Sequence, residues 1–297
     1  MAVTAAGTTP VAAPSTTAQA APPRRRKRGE LGLAVRIVLA VIVGIVMVFP
    51  FWVMLVTAFS GQSVFTGEID LWPDTLSVAN FTRVFDAWPV LLWFQNSVLV
   101  SVITTVLTVV ISVLAGFAFA KLRFPGQNVL FLVLLSTMMI PTQAILVSQF
   151  RIVDALGLLG LFWAVIIPGA AATFGIFLAR QFMLAIPNEL IEAARIDGAG
   201  TGRIFVSVIL PLSKPLLAVL TLLSLMYQWN DFLWPLIVLK DPNLYTLPIG
   251  LQFLKGQYTT DYGALMAMTL ISVAPLVVLF LAFQRFFVQG LATTGLK

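Results

Sequence analysis

The sequence predicts an all-α membrane protein with six transmembrane helices. Hydrophobic residues make up 59% of the 297 residues and charged residues only 10%, whereas soluble domains are about 45–50% apolar and about 25% charged. The apolar residues fall into six runs, each long enough for the roughly 20 residues that cross a bilayer. Because the runs are spread evenly, they indicate one membrane-embedded unit.

Composition also excludes several kinds of chemistry. The chain contains no Cys and no His, which excludes disulfides, thiol redox chemistry, His-type metal sites and Ser-His or Cys-His triads. We therefore predict no catalytic residue and no metal site. The net charge of +6 would suit nucleic acid, but the positions of the charges follow membrane topology, so we predict no nucleic-acid partner.

The first transmembrane helix follows a polar N-terminal region. Residues 1–22 are rich in Ala, Thr and Pro and carry no charge, which is typical of a disordered tail. A basic run, Arg24–Arg28, precedes the first apolar run, about 33–58. That run is too long for a signal-peptide core and is not followed by a small-residue cleavage site. We assign 1–30 to the tail and basic run, and 31–94 to a retained helix and its loop.

The other five spans are expected at about 95–120, 127–149, 160–182, 213–239 and 264–284. Pro141 is expected to kink or break the third span. Pro215 and Pro235 lie near the two ends of the fifth span, whose bounds are therefore the least defined. Residues 95–285 form the predicted transmembrane core, and 286–297 a C-terminal tail.

The distribution of basic residues predicts the orientation. With the N-terminus in the cytoplasm, fourteen of the 18 Lys and Arg residues fall in inner segments and four in outer ones. This matches the positive-inside rule, and the opposite topology would invert it. Both termini are thus predicted to be cytoplasmic. Two loops exceed the usual two to eight residues between packed helices: an external one, about 59–94, and an internal one, about 183–212.

The internal loop contains the clearest local pattern. Pro187 and Asn188 indicate a helix start with Asn188 as its cap, and Glu189 and Glu192 favour the positive end of that helix. Gly198 and Gly200 indicate its end. We predict a short helix over Asn188–Asp197, with one face formed by Leu190, Ala193, Ala194 and Asp197. A helix this short is marginal alone, so it packs either on its own chain or on another protein.

The segment Glu192–Pro211 resembles the loop signature of permease subunits of bacterial binding-protein-dependent ABC importers. That signature reads Glu-Ala-Ala, two residues, Asp-Gly-Ala, eight residues, Ile, any residue and Leu-Pro. The matching positions are Glu192, Ala193, Ala194, Asp197, Gly198, Ala199, Leu210 and Pro211. The one departure is Val208 in place of Ile, which keeps the position apolar. The resemblance covers about 95–285.

The resemblance implies the type-1 transmembrane fold of these transporters and a role for the loop. In that family the short helix is the coupling helix, which docks into a cleft of a separate ATPase subunit. Carried over, Glu192, Ala193, Ala194, Asp197 and Gly198 would form the docking element, and Leu210 and Pro211 would anchor the return to the bilayer. Gly198 would supply the backbone freedom that the turn needs.

The segment Tyr227–Pro235 is the strongest candidate for substrate contact. It combines amides, a carboxylate and indoles, a set that suits carbohydrate because hydroxyls need planar hydrogen-bond partners and sugar faces stack on aromatic rings. We name Gln228, Trp229, Asn230 and Asp231, with Gln143 beside Pro141, as pathway residues. The alternative is that the Trp residues are interface anchors and that Asp231 lies at that interface. This segment and residues 244–251 and 287–295 resemble the corresponding stretches of permeases in the carbohydrate uptake type 1 branch of these importers.

The resulting hypothesis is a permease of an ATP-driven sugar importer in the bacterial plasma membrane. It implies a second permease, two copies of an ATPase subunit, an extracytoplasmic sugar-binding protein and surrounding lipid. The chain lacks the Gly-x4-Gly-Lys-Ser/Thr phosphate loop, so ATP and Mg²⁺ are expected on the ATPase and no cofactor on this chain. The alternatives are a permease for a non-sugar solute, an ion-driven secondary transporter and, weakest, a membrane-bound enzyme.

Overall fold

The helices follow the apolar runs of the sequence and are interrupted mainly near prolines. The computed structural model describes the backbone of residues 28–61, 71–72, 75–255 and 261–294, and the side chains of 32–61, 71–72, 75–255 and 261–283. Its α-helices are α1 (Arg28–Ala58), α2 (Ala79–Ala87), α3 (Val90–Lys121), α4 (Gln127–Thr137), α5 (Thr142–Ala155), α6 (Trp163–Ala170), α7 (Thr173–Leu184), α8 (Asn188–Ile196), α9 (Thr201–Ile204), α10 (Leu210–Leu212), α11 (Lys214–Trp229), α12 (Leu233–Val238), α13 (Leu247–Phe253) and α14 (Tyr262–Thr294).

The described part of the chain contains four to six spans, in agreement with an all-helical membrane protein. Four stretches are long and apolar enough to cross a bilayer individually: Gly32–Ala58, Val90–Lys121, Trp163–Leu184 and Tyr262–Phe283. Two further spans exist if each of two bent pairs counts as one, namely α4 with α5 and α9–α10 with α11. The tail predicted over 1–22 lies outside the described residues.

The third span is broken where the sequence predicts it. The axes of α4 and α5 meet at 102° around Pro141, which precedes the first residue of α5. A proline fits at a helix start because the missing N–H has no intrahelical partner there. α5 then continues to Ala155, six residues beyond the predicted end.

Other predicted bounds also differ from the structure. α3 begins at Val90, not 95, with Pro89 as its N-cap. Asn96 near its start is buried and donates to the carbonyls of Asn243 (2.8 Å) and Tyr245 (3.0 Å). The predicted external loop contains α2, which buries Asn80 and Val84. The fifth span ends at Trp229 instead of 239, with the separate helix α12 beyond it. The region predicted as a tail after 285 continues α14 to Thr294.

The described residues divide at Pro50 into two units, 28–49 and those from 50 onward. In the first unit the apolar side chains of α1 are exposed, for example Val46 at 63% and Met47 at 66%. Such exposure is expected of side chains that face lipid. The helix packing and the sites described below belong to the second unit.

Small residues bring α3 and α7 close together at the centre of the second unit. A Cβ added at Gly116 would lie 2.4 Å from the Cβ of Ala179, and one added at Gly175 would lie 2.3 Å from Oγ of Ser112. Small residues allow this approach, which is the usual basis of helix packing in membranes. Other small polar residues on α3 are also buried, among them Ser97, Ser101, Thr104, Thr105 and Thr108.

A polar cluster joins residues 57–60, where α1 ends, to α2 and to Asp261 before α14. The buried side chain of Asn80 donates to the carbonyls of Thr57, Ala58 and Ser60, where α1 ends. Its Oδ1 accepts from Arg83, which also forms an ion pair of 2.8 Å with Asp261 just before α14. Nearby, Ser60 and Leu76 form an isolated antiparallel bridge. The carbonyls left unpaired at the end of a helix thus find donors here.

Candidate functional site

The loop helix α8 lies where the sequence predicts it, and Lys121 fixes its start. The helix covers Asn188–Ile196, with Asp197 as its C-cap. The sequence predicts Asn188 as a cap, but Asn188 is already helical, and its side chain accepts a hydrogen bond of 2.8 Å from Lys121 Nζ. Lys121 also donates to the carbonyl of Ile186 at 2.7 Å. The last residue of α3 therefore holds the chain that enters α8.

The end of α8 is a Schellman motif built on Gly198. Gly198 has a φ of +77°, a conformation that residues with a Cβ rarely adopt. Its N–H bonds to the carbonyl of Arg195 at 3.0 Å, and the N–H of Ala199 bonds to the carbonyl of Ala194 at 2.9 Å. These two bonds define the motif, and they explain why the loop signature has Gly at this position.

The two faces of α8 differ sharply in burial. Ile191 is 6% exposed and packs in an apolar cluster with Met183 and Ile204. On the opposite face Leu190 is 44% exposed and Ile196 is 87% exposed. Ala194 packs against the cluster, whereas Leu190, Ala193 and Asp197, predicted to share a face with it, are exposed. The outer face instead presents Glu189, Leu190, Glu192, Ala193, Ile196 and Asp197.

The chain returns from the loop through a π-helical segment. Residues Phe205–Ile209 form a π-helix between α9 and α10, and the N–H of Leu210 bonds to the carbonyl of Phe205 five residues earlier. This wide turn directly precedes Pro211, where an ordinary turn would bring the ring against the carbonyl of residue 207. Ile204 and Ile209 are buried in the same cluster as Ile191. The signature residues Leu210 and Pro211 thus belong to the anchored return.

The predicted pathway residues fall into two groups. Gln228 and Trp229 are buried and bonded within the chain: Gln228 Nε2 donates to the carbonyl of Gly169 at 3.2 Å, and Trp229 Nε1 to the carbonyl of Ser272 at 3.0 Å. Asn230 is exposed, at the end of α11. The structure therefore separates residues that could meet a solute from residues that hold helices.

Asp231 and Gln143 are the other two predicted pathway residues. Asp231 is half-buried between α11 and α12, with the backbone N–H groups of Trp234 and Phe232 against its carboxylate. Gln143 is exposed in the first turn of α5, where its Oε1 accepts from Thr142 Oγ1 at 3.4 Å. The Asp231 carboxylate thus faces the backbone at the start of α12, whereas the Gln143 side chain bonds to its chain neighbour Thr142.

Sequence reasoning missed Lys121, which contacts residues 65 and 67 positions away. In the sequence, Lys121 is a single Lys at the end of an apolar run, and it contributed only to the prediction of the membrane orientation. It also missed the break between α6 and α7, although Pro168 lies inside the fourth span and could have indicated it.

Together these features define a multi-pass membrane protein with an exposed, firmly anchored loop helix. Residues 109–293 match the family described as "Binding-protein-dependent transport system inner membrane component". The chain belongs to this family. The match confirms the resemblance inferred from the loop signature and identifies the chain as a membrane-embedded permease component.

Named relatives agree with this assignment. The arabinooligosaccharides transport system permease protein AraQ of Halalkalibacterium halodurans is 40% identical over 226 residues, which cover 76% of this chain and 81% of AraQ. The sn-glycerol-3-phosphate transport system permease protein UgpE of Salmonella typhi is 35% identical over 255 residues, which cover 83% of this chain and 91% of UgpE.

Solved structures support the type-1 ABC transporter fold. A chain from the crystal structure of a bacterial ABC transporter that imports the acidic polysaccharide alginate aligns with a TM-score of 0.81 and 22% identity, covering 90% of this chain and 100% of that one. At this identity the likeness concerns the fold alone.

Family membership decides between the classes of protein that the sequence left open. Permeases of this family work with partner subunits, and ATP is hydrolysed by a separate ATPase. The prediction that this chain is not itself an enzyme is therefore confirmed. An ion-driven secondary transporter and a membrane-bound enzyme are both ruled out by the same assignment.

Proposed function

We propose that this chain is one of two permease subunits of an ATP-driven importer of saccharides. In this proposal it has six spans, with each bent helix pair counted as one, and both termini are cytoplasmic. It assembles with a second, similar permease, two copies of an ATPase subunit that bind ATP and Mg²⁺, and an extracytoplasmic binding protein.

The outer face of α8 is the observation that supports ATPase coupling. Ile196 is 87% exposed, although an apolar side chain in water gains about 1.5–3 kcal/mol when it is buried. The helix around it is anchored by Lys121 and Ile191 and ended by Gly198. Exposed apolar residues beside carboxylates, on a helix anchored at both ends, suit docking into a cleft of another protein.

A saccharide is favoured by the relatives and by the charges of the polar segment. AraQ, at 40% identity, is named for arabinooligosaccharides. Residues 227–235 contain one carboxylate and no Lys or Arg, which suits a neutral polyhydroxyl solute better than an anion. We propose Asn230, Asp231 and Gln143 as the solute contacts, with Gln228 and Trp229 supporting them from the buried side.

A phosphorylated small solute is the second candidate. UgpE is 35% identical over 91% of its length and is named for sn-glycerol 3-phosphate. Recognition of phosphate usually needs Arg, Lys or a helix N-terminus. If the partner permease provides those groups, this chain could serve such a solute without changing its own polar segment.

Uptake measurements distinguish the two solutes. The complex is purified with its partners, reconstituted in liposomes and supplied with the binding protein. We expect ATP-dependent uptake of labelled arabinooligosaccharide and none of labelled sn-glycerol 3-phosphate. Uptake of the phosphate ester alone would favour the second candidate, and uptake that needs an ion gradient but no ATP would contradict the proposal.

The docking role of α8 is tested by Ile196→Asp. A carboxylate at the most exposed apolar position should prevent its burial, so the ATPase that co-purifies with the permease should fall roughly tenfold or more. Thr201→Asp is the matched control, because it adds the same charge at an exposed position of the same loop, where α9 begins. Equal retention of the ATPase by both variants would refute docking through α8.

A further inference from the structure

The fourth span is broken near its middle. α6 ends at Ala170 and α7 begins at Thr173, yet 163–184 forms one apolar span. Between the two helices Ala172 is extended, with φ −93° and ψ 97°. Within a bilayer such a break leaves backbone groups without water to bond to, so other protein groups must supply the partners.

Trp234 supplies the donor for one carbonyl of this span. Pro168 lies inside α6 and has no N–H, so the carbonyl of Ala164, four residues earlier, lacks its usual intrahelical donor. The indole Nε1 of Trp234 donates to that carbonyl at 2.9 Å. Ala164 is fully buried, and without Trp234 its carbonyl would be an unpaired acceptor.

Gln228 supplies the donor for a second carbonyl. In a continuous helix the carbonyl of Gly169 would accept from the N–H of Thr173, but the extended residue between them prevents this. Gly169 O instead accepts from Gln228 Nε2 at 3.2 Å and from Thr108 Oγ1 at 3.4 Å. A Cβ at position 169 would lie 2.9 Å from Cγ2 of Thr104 and 3.1 Å from the amide atoms of Gln228, so Gly leaves room for the contact.

Both donors belong to the segment that follows the loop return. Gln228 lies in the last turn of α11, which begins directly after the bend at Ser213, and Trp234 lies in α12. From this geometry we infer that Gln228 and Trp234 are positioning residues for transport. They form a clamp that holds α6, the part of the fourth span before the break, against α11 and α12, so that movement of α11 shifts α6 relative to α7. The inference rests on the importer function proposed above.

Two pairs of variants isolate the clamp. Trp234→Phe and Gln228→Met remove one donor each and keep most of the side-chain volume. The matched controls are Trp93→Phe, whose buried indole donates to the carbonyl of Pro242 at 2.9 Å, and Gln127→Met, whose amide donates to the carbonyl of Phe119 at 2.8 Å. The controls lose the same kinds of bond at other places in the chain.

Hydrogen exchange in the assembled complex measures the clamp without relying on transport. We expect Trp234→Phe and Gln228→Met to speed amide exchange in 164–176 by roughly ten- to a hundredfold, and the controls to leave it unchanged. Pro168→Ala restores a backbone N–H for the carbonyl of Ala164. In that background Trp234→Phe should speed amide exchange by less than about threefold. A roughly ten- to hundredfold increase there, or equal increases in the control variants, would overturn the clamp.

Transport tests the positioning role. Uptake of labelled arabinooligosaccharide per ATP hydrolysed should fall at least about threefold in Trp234→Phe and Gln228→Met relative to their controls. Faster exchange with the same transport ratio as the controls would show that the clamp is only structural and would overturn the inference. A wild-type complex that takes up no saccharide would instead refute the proposed function, while the exchange data still test the clamp.

Discussion

At the residue scale, α8 is set by one cation at its start and one glycine at its end. Lys121 bonds to Ile186 and Asn188 before the helix, and Gly198 takes the left-handed conformation after it. Between these points only Ile191 is fully buried. The helix therefore keeps its place with little apolar burial, which leaves its outer face available to a partner.

Gly198→Ala should loosen the end of α8. A Cβ there meets nothing within 4 Å, so the cost comes from the left-handed backbone alone and amounts to about 1 kcal/mol. Gly200→Ala is the control, since its surroundings are equally open and its φ is −71°. Hydrogen exchange over 188–199 in the purified permease should accelerate only in Gly198→Ala; acceleration in both variants would argue against the Schellman motif as the cause.

At the element scale, the fold depends on the close contact of α3 with α7. Gly116 faces Ala179 and Gly175 faces Ser112, so both glycines permit backbone approach. The same α3 carries Lys121 at its end and the polar residues Ser97 and Thr108 along its length. Through these contacts one helix positions the loop helix, the broken fourth span and the segment around Leu247, whose N–H bonds to Ser97 at 2.7 Å.

Gly116→Ala should separate α3 from α7. The added methyl would lie 2.4 Å from the Cβ of Ala179 and 2.9 Å from the backbone N of Arg180, and backbone cannot easily move aside. Overpacking of this kind costs about 1–3 kcal/mol, seen as a lower unfolding temperature of the purified permease. Gly44→Ala, a change within α1 where nothing lies within 4 Å, should not lower that temperature. Equal destabilisation by the two would contradict the packing described.

At the scale of the whole molecule, the charge distribution and the loop signature predict the same orientation. The loop with α8 lies on the basic side, where a cytoplasmic ATPase could reach it. Leu76, which is 78% exposed, lies in the segment predicted to face the opposite side. The orientation is a proposal that the natural absence of Cys makes easy to test.

Single cysteines report the orientation directly. In intact cells a membrane-impermeant maleimide should label Leu76→Cys and should label Ile196→Cys only after the membrane is opened. Both positions are well exposed, at 78% and 87%, so differences in burial do not explain a difference in labelling. Labelling of Ile196→Cys in intact cells would show that the topology is the opposite of the one proposed.

The sequence predicts what depends on local chemistry and misses what depends on distant partners. The start and end of α8 follow from Pro187 and Gly198, and the break at Pro141 follows from the proline itself. Pro168 carries the same local signal, but the position of the break after Ala170 depends on contacts with Gln228 and Thr108 from other helices. The contact of Lys121 with Asn188 likewise joins residues 67 positions apart, which no local pattern indicates.

The bridge between Ser60 and Leu76 has a practical consequence for work on this protein. The N–H of Ser77 also bonds to the carbonyl of Phe59 at 2.9 Å, and Asn80 binds three carbonyls next to it. The two ends of the intervening segment are thus fastened together beside α1. Because loop-closure entropy grows only slowly with length, an epitope tag or fluorescent label inserted between 62 and 70 should leave the membrane-embedded helices in place, which gives a handle for following the permease in living cells.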